Sequence, residues 1–383
     1  MCNVAVIGVG STPFGRHSDR TGRSLFADAA SVALDDAGLT PDEVDALHYG
    51  NFIGALTERQ GHQAPLMAEA VGTRAPATRH EQACASSGVA IHHAIQSIRA
   101  GSADVVLVGG MEKMSPLDTA ETTEALATAA DELHEVRPGM TFPGAYALMA
   151  QRYFDECGGT SEDLAHVAVK NHANALENEY AQFQRAITVA DVLEAPRVAS
   201  PLGLYDACPI SDGASALVLA GEDVAPDAAY RITGTGLGTD ALALQRRESL
   251  VETPATTDAA RRALGMADRS IEEVDLLEVH DCFTIAEVLA LEALGLYDRG
   301  EAAGAARRGE TTAEGVMPVN LSGGLKAKGH PVGATGASQV VEVVKLLRGE
   351  HANSEAVPDA TVGLAHNAGG TVASAAVHVV EER

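Results

Sequence analysis

Apolar residues fall along the chain in short blocks, separated by stretches where they recur at helical spacing. VAVIGVG (4–10) is a β-rich block closed by glycines. TGRSLFADAASVALDDAGL (21–39) has helical periodicity and a stop at Gly38. VDALHYG (44–50) predicts a strand, ASSGVAIHHAIQSIRAG (85–101) a helix ended by Gly101, and ADVVLVGG (103–110) a buried strand. Strands alternating with helices predict a mostly parallel sheet covered on both faces. From about 115 to 205 the pattern breaks into polar, irregular sequence with an acidic stretch, ETTEALATAADELHE (121–135). This predicts an inserted lid or loop region. SDGASALVLAG (211–221) returns to a buried strand.

The chain then repeats itself. DEVDALHYGNF (42–52) and EEVDLLEVHDCF (272–283) share an acidic, Val-Asp, apolar order. SSGVAIHHAIQSIRAG (86–101) resembles ATGASQVVEVVKLLRG (334–349), and each is followed by an apolar strand and a double glycine, VVLVGG and TVGLAHNAGG. A duplicated β-α-β unit is the simplest explanation. It would place the strand-end loops of both halves at equivalent positions, so residues distant in sequence can meet in one crevice.

Composition narrows the function. With 383 residues, 46% of them hydrophobic, two domains with cores are possible. Acidic residues number 53 against 27 basic, a formal charge of −26, which excludes a basic nucleic-acid binder. No apolar run is long enough for a membrane span, and MCNVAVIGVG lacks the cationic start of a signal peptide. Cys2, Cys84, Cys157, Cys208 and Cys282 are odd in number and form no C-x-x-C, which points to a reducing cytoplasm. Lysine is confined to Lys113, Lys170, Lys326, Lys328 and Lys345 and tryptophan is absent, a composition resembling that of salt-loving microbes.

GVGSTPFG (8–15) invites a dinucleotide reading, but the third glycine of G-x-G-x-x-G would fall at Pro13. Cys84, in RHEQACASSGVA, follows an extended stretch and opens a helix among small residues. A helix N-terminus stabilises an anion, so a nucleophilic thiolate is expected there at neutral pH. A lone cysteine is more often a packing residue, but two segments change that weighting. HDCFT (280–284) follows the repeat strand, and GGLKAKGHPVGATG (323–336) is a glycine-dense loop with one histidine before a helix. Cys84, His280 and His330 thus occupy equivalent strand ends as a nucleophile with two acid/base groups.

Taken in order, VAVIGVGSTPFGR (4–16), EQACASSG (81–88), GGMEKMS (109–115), SDGASA (211–216), HDCFT and GGLKAKGHPVGATG resemble the thiolases over essentially the whole chain. HDCF is similar to the sterol-carrier-type and archaeal branch. The resemblance implies a duplicated, five-layered α/β (αβαβα) fold with halves 1–224 and 225–383 and a lid inserted in the first. It implies cleavage of 3-ketoacyl-CoA, or condensation of two acetyl-CoA, through an acyl-Cys84 intermediate. His330 matches the activating base, Cys282 the cysteine that handles the α-proton, and His280 the group that orders a water in the enolate oxyanion hole. The backbone N–H groups of Cys84 and Gly369 match a second oxyanion hole. Phe283 would line the pantetheine path. One departure stands out: where most thiolases have a catalytic cysteine in Cys-x-Gly, this chain has Asn367 in HNAGG (366–370), and Asn cannot shuttle a proton. Cys208 replaces a serine near the pantetheine and has no assigned role.

Coenzyme A enters as substrate, with no cofactor and no metal expected. Because CoA is anionic, Arg137, Arg152, Arg185, Arg246 and Arg247 are candidate contacts, while Lys326 and Lys328 flank the glycine loop. His92-His93 and Asp35-Asp36 read as solvated or packed. By family, a homodimer or dimer of dimers is implied, with a hydroxymethylglutaryl-CoA synthase and a small OB-fold accessory protein as partners. The rivals are a decarboxylating ketoacyl synthase, a zinc site built from Cys84, His280, Cys282 and His330, and a non-catalytic acyl-CoA-binding scaffold.

Overall fold

A computed structural model describes residues 3–383; Cys2 lies outside the described residues. Strands β1 (Val4–Ser11), β2 (Ala46–Gly50), β3 (Ala77–His80) and β4 (Val105–Glu112) belong to the first half. A small ribbon, β5 (Arg197–Ala199) and β6 (Leu202–Gly203), precedes β7 (Gly213–Ala220). The second half contributes β8 (Tyr230–Thr239), β9 (Leu276–Glu278), β10 (Val362–Gly369) and β11 (Ser374–Glu382). Together they form one sheet, ordered β3-β2-β4-β7-β1-β8-β11-β10-β9. The two halves join where Val4 and Ala5 pair with Ile232 and Arg231.

The sheet is mixed rather than mostly parallel. Pairing is parallel for β2 with β3 and β4, and for β9 with β10. It is antiparallel through β4-β7-β1-β8-β11-β10. The helical crossovers expected from the alternating pattern flank only the outer strands; β10 and β11 are joined by a tight turn.

The duplication sets the layering. Helix Gly22–Ala37 covers one face of the first half, and helix Pro254–Ala267 the matching face of the second. Each lies unusually close to its sheet because the strand beneath presents alternate glycines. A Cβ on Gly8 or Gly10 would fall 2.1 or 2.2 Å from the carbonyl oxygens of Ala33 or Ala29. On Gly234 or Gly236 it would fall 2.1 Å from those of Ala263 or Ala259. Between the half-sheets lie the two repeat helices, Ser86–Arg99 and Thr335–Leu347, and the second is buried almost along its whole length. Ile91 and Ile95 share one apolar cluster with Val340, Val341 and Val344. Helix, sheet, paired helices, sheet, helix make the five layers expected from the sequence.

The inserted region is not irregular. It is mainly helical, with helices Thr119–Ala127, Phe142–Cys157 and Ser161–Asn174. Asp118 and Thr160 cap two of them by accepting from the N–H groups of Glu121 and Asp163. Tyr146, Met149, Tyr153, Leu164 and Val167 bury into the second half's core beside Ile285, Val288 and Leu289. The lid, encoded in the first half, therefore packs on the loop-bearing side of the second. Among the described residues, no helix is long and apolar enough to cross a membrane.

The glycine contact makes a paired prediction. Gly236→Ala forces a methyl against the Ala259 carbonyl and should destabilise by roughly 1–3 kcal/mol. Gly265→Ala, in an exposed helical position where a Cβ meets nothing within 4 Å, should stabilise by about 0.5–1 kcal/mol. Thermal melting midpoints moving in opposite directions would meet this expectation; a neutral Gly236→Ala would remove the close-approach argument.

Candidate active site

Cys84 sits in the turn between β3 and the helix Ser86–Arg99. Ala83 before it has φ +49°, a left-handed conformation uncommon for a residue with a side chain. The turn is closed by Ala85 N–H to Gln82 O and Ser86 N–H to Ala83 O, and it leaves Cys84 half-buried. His280, Cys282 and Phe283 follow β9, all buried. His330 lies in the glycine loop before helix Thr335–Leu347, where its N–H donates to Ser211 Oγ at 3.0 Å.

These loops converge. Cys84 Sγ and one ring nitrogen of each of His280 and His330 lie within 4.8 Å of one another. The two imidazoles meet edge to face, centroids 5.0 Å apart at 86°. Among the described residues, this is the one His/Cys/Asp/Glu cluster compact enough to share a cation. Cys282 is not part of that trio, although a charge on Cys84 opposes one on Cys282. The Gly370 N–H points to the Cys84 sulfur and favours its thiolate. Gly369 abuts the same turn: a Cβ there would be 2.4 Å from Gln82 O.

Hydrogen bonds fix the protons of His330. Thr335 Oγ donates to Pro331 O at 3.1 Å, so it accepts from His330 Nδ1–H at 2.7 Å. The other nitrogen, Nε2, then carries a free lone pair, as a base requires. Burial lowers His330 to about 3, so it rests neutral.

The thiolate expected of Cys84 is not the resting state. Burial pushes this thiol up to about 12, outweighing the Gly370 N–H. Helix and sheet backbone supply too little positive potential to offset the loss of water. Cys282 is likewise pushed well above the ordinary thiol value, by burial first and by Cys208 second. The ground state is thiol, thiol and neutral imidazole.

Several positioning groups escaped the sequence reading. Buried Glu112, at the end of β4, accepts from the N–H groups of Phe52 (2.9 Å), Ile53 (3.1 Å) and Gly333 (3.1 Å), tying the glycine loop to the first half. Burial raises its carboxyl to about 8. Asp281 accepts from Leu325 N–H at 2.6 Å and Asn171 Nδ2 at 2.6 Å, linking HDCF, glycine loop and lid. Burial, then Glu287, raises it to about 7. Tyr146 stacks on Phe283 at 4.7 Å and donates to Gly370 O at 2.9 Å. GGMEK and HDCF contain two of these acids, but only burial distinguishes them from surface carboxylates.

Cys208 N–H donates to Cys282 O at 3.0 Å. Of the cationic candidates, Arg137 and Arg152 are exposed and pair with Glu132 and Glu156. Arg246 is exposed, while Arg247 bonds Thr371 and Ala241. Lys328 is paired with Glu342 inside the protein. Arg185 and Lys326 gather around the Tyr205 ring at 5.5 and 5.8 Å. His92 bonds Thr235 and His93 stacks on His80, both away from the trio.

A family model described as "Thiolase, N-terminal domain" matches residues 4–223, and "Thiolase C-terminal domain-like" matches 236–382. The chain is 44% identical to the acetyl-CoA acetyltransferase of Methanothermobacter thermautotrophicus, covering 99% of each. It is 39% identical to the acetyl-CoA acetyltransferase of Methanocaldococcus jannaschii, covering 100% of each. Among solved structures, an Ltp2-ChsH2(DUF35) aldolase superposes with TM-score 0.83 at 24% identity, over 99% of this chain and 98% of that one.

The protonation state can be measured. Alkylation of Cys84 by iodoacetamide in the free protein should accelerate about tenfold per pH unit from 6 to 9, because the thiolate fraction grows tenfold per unit below the thiol's pKa. A rate already level from pH 6 upward would mean a resting thiolate.

Proposed function

The chain belongs to the thiolase family and is an acyltransferase, and from that premise we propose that Cys84 is its acylated nucleophile, served by His330, Cys282 and His280. The observation supporting these roles is the convergence of Cys84 Sγ with the two imidazoles within 4.8 Å, across both halves. Their protonation states suit a sequence that conserves protons at each step. Cys84 attacks the thioester carbonyl and passes its proton to His330 Nε2. The departing CoA thiolate takes the proton of Cys282 and leaves as the thiol. Cys282, now a thiolate, removes an α-proton from a second acyl-CoA. The enolate oxygen is held by His330, which carries the Cys84 proton, and by the His280 side of the hollow. The enolate attacks acyl-Cys84, and the expelled thiolate recovers its proton from His330. Thiolytic cleavage is the reverse. A thiol pushed up by burial is a poor resting base, so acting first as an acid resolves the difficulty for Cys282.

The thioester oxygen is assigned to the N–H groups of Cys84 and Gly369, with Gly370 holding the sulfur. The acyl group is acetyl, in line with the activity named for both archaeal relatives. CoA is substrate and product, and no resident cofactor is needed. Its phosphates are assigned to Arg185 and Lys326, and Phe283 and Cys208 to the pantetheine path. The two halves are 1–224 and 225–383, the compartment is the cytoplasm, and the assembly is a homo-oligomer. The partners proposed are those the resemblance implies, a hydroxymethylglutaryl-CoA synthase and a small OB-fold accessory protein; the Ltp2-ChsH2(DUF35) aldolase, a neighbour in fold, also carries a second named component.

The test is CoA-dependent thiolysis of acetoacetyl-CoA by wild type, Cys84→Ala and Cys282→Ala. Both variants should lose at least about 10²-fold in kcat. Only Cys282→Ala should still show an acetylated Cys84 by mass spectrometry after incubation with acetyl-CoA. Acetylation persisting in Cys84→Ala would sink the assignment.

A further inference from the structure

Asn367, on β10, occupies the position where a thiol is missing, and its amide is fully engaged on one side. Asn367 Nδ2 lies 3.1 Å from the Cys84 carbonyl oxygen and 3.1 Å from His280 Nδ1. A carbonyl oxygen only accepts, so the amide nitrogen must face it; the flipped amide would set oxygen against oxygen. The second N–H is therefore given to His280 Nδ1, which must hold a lone pair. Burial, then His330 and His366, keeps His280 well below its ordinary pKa, so the ring is neutral and its single proton sits on Nε2.

That Nε2 is buried and has no hydrogen-bond partner. His330 next to it has the opposite tautomer, proton on Nδ1 and lone pair on Nε2. The amide cannot swing away. Its oxygen is sealed against the first turns of both buried helices, where a Cβ on Gly88 or Gly336 would lie 2.8 or 2.4 Å from Asn367 Oδ1.

We infer that Asn367 is a positioning residue that holds His280 in the Nε2–H tautomer, making it a hydrogen donor to the substrate oxygen instead of a base or a metal ligand. This deepens the thiolase reading and rests on it for the identity of the acceptor. It also explains why a Cys-His-His cluster of metal-ligand dimensions is built for proton chemistry. A cation needs lone pairs, and in this network only Cys84 and His330 offer one. Reversing the polarity at position 367 would complete the set. In Asn367→Asp, the carboxylate oxygen that replaces Nδ2 accepts from His280 Nδ1–H and leaves Nε2 bare, the carboxylate–histidine–metal arrangement, while the Cys84 carbonyl loses its donor and must move off that oxygen. Cys84 Sγ, His280 and His330 would then present three ligand atoms to one soft divalent ion.

Two measurements test this. Imidazole ¹⁵N spectra of the free wild-type protein, with His280 assigned by comparison with His280→Gln, should show His280 protonated at Nε2 and His330 at Nδ1. This reads the tautomer whether or not the protein turns over, so it separates failure of this inference from failure of the catalytic roles. His280 protonated at Nδ1 would overturn the inference. In Asn367→Asp, kcat should fall about 10²–10³-fold, the cost of one oxyanion donor. The variant should also bind Zn²⁺ by titration at a concentration that wild type ignores, with the binding abolished by adding Cys84→Ser. Zinc affinity equal in wild type and Asn367→Asp, with both folded by circular dichroism, would equally overturn it.

Discussion

Two buried helices meet at their first turns, and everything at the site is referred to that contact. A Cβ on Gly336 would lie 2.4 Å from the backbone nitrogen of Gly88, and Ala337 N–H donates to Ser87 Oγ at 3.0 Å. Neither residue has room for a side chain, so the helices approach to backbone distance. Each helix carries its preceding loop: Cys84 from the first half, His330 from the second. The separation of Cys84 and His330 is thus set by packed backbone and not by a flexible side chain. The same contact clamps Asn367, which reaches His280. One interhelical contact therefore bears on Cys84, His330 and His280 together.

Burial gives the site its chemistry. With water excluded, thiols rise and imidazoles fall, so the resting groups are neutral. In the mechanism proposed above, charge then arises only when a thioester arrives. Glu112 and Asp281 belong to the same scheme. Both are buried carboxyls whose work is to gather backbone N–H groups from loops of different origin. Burial raises both carboxyls, to about 8 and about 7, which lessens the fixed negative charge that these loop ties carry.

Much of this was legible in the sequence. The strand at 4–10, the helix stop at Gly38 and the paired repeat helices follow from local periodicity, and the structure places them within a few residues. GHPVGATG located its loop because glycine density next to a helix start is a local signal, and HDCFT did so because it follows the repeat strand. What was hidden depends on long-range packing. Sheet direction was misread because alternation of elements does not reveal that β7, β8 and β11 pair antiparallel. The lid's helices were masked by acidic outer faces whose apolar residues bury against the other half. The thiolate on Cys84 was expected from the helix end alone, while the desolvation that overrides it comes from residues outside that local stretch, among them Ile53, Met114 and Val332. Asn367 looked like a loss because its partners, Cys84 O and His280 Nδ1, are not its sequence neighbours.

The charge imbalance is explained from the inside. Each of the scarce lysines is committed to the interior or to a ring. Lys113 pairs with Asp212, Lys170 with Glu287 and Lys328 with Glu342, all buried. Lys345 lies 3.8 Å over the Tyr180 ring. Lys326 is buried beside Tyr205, its charge sensed by Cys208. Positive charge on the surface is therefore left to arginine, and several of those side chains are paired with acids. On a protein of net charge −26, an anionic CoA is repelled everywhere except where a cation is both close and unspent. The corner where Arg185 and Lys326 flank the Tyr205 ring is the place proposed above for the phosphates, and Lys326 belongs to the same loop as His330. On that proposal the acidic surface contributes to selectivity, since it repels a phosphate-bearing molecule wherever no cation offsets it.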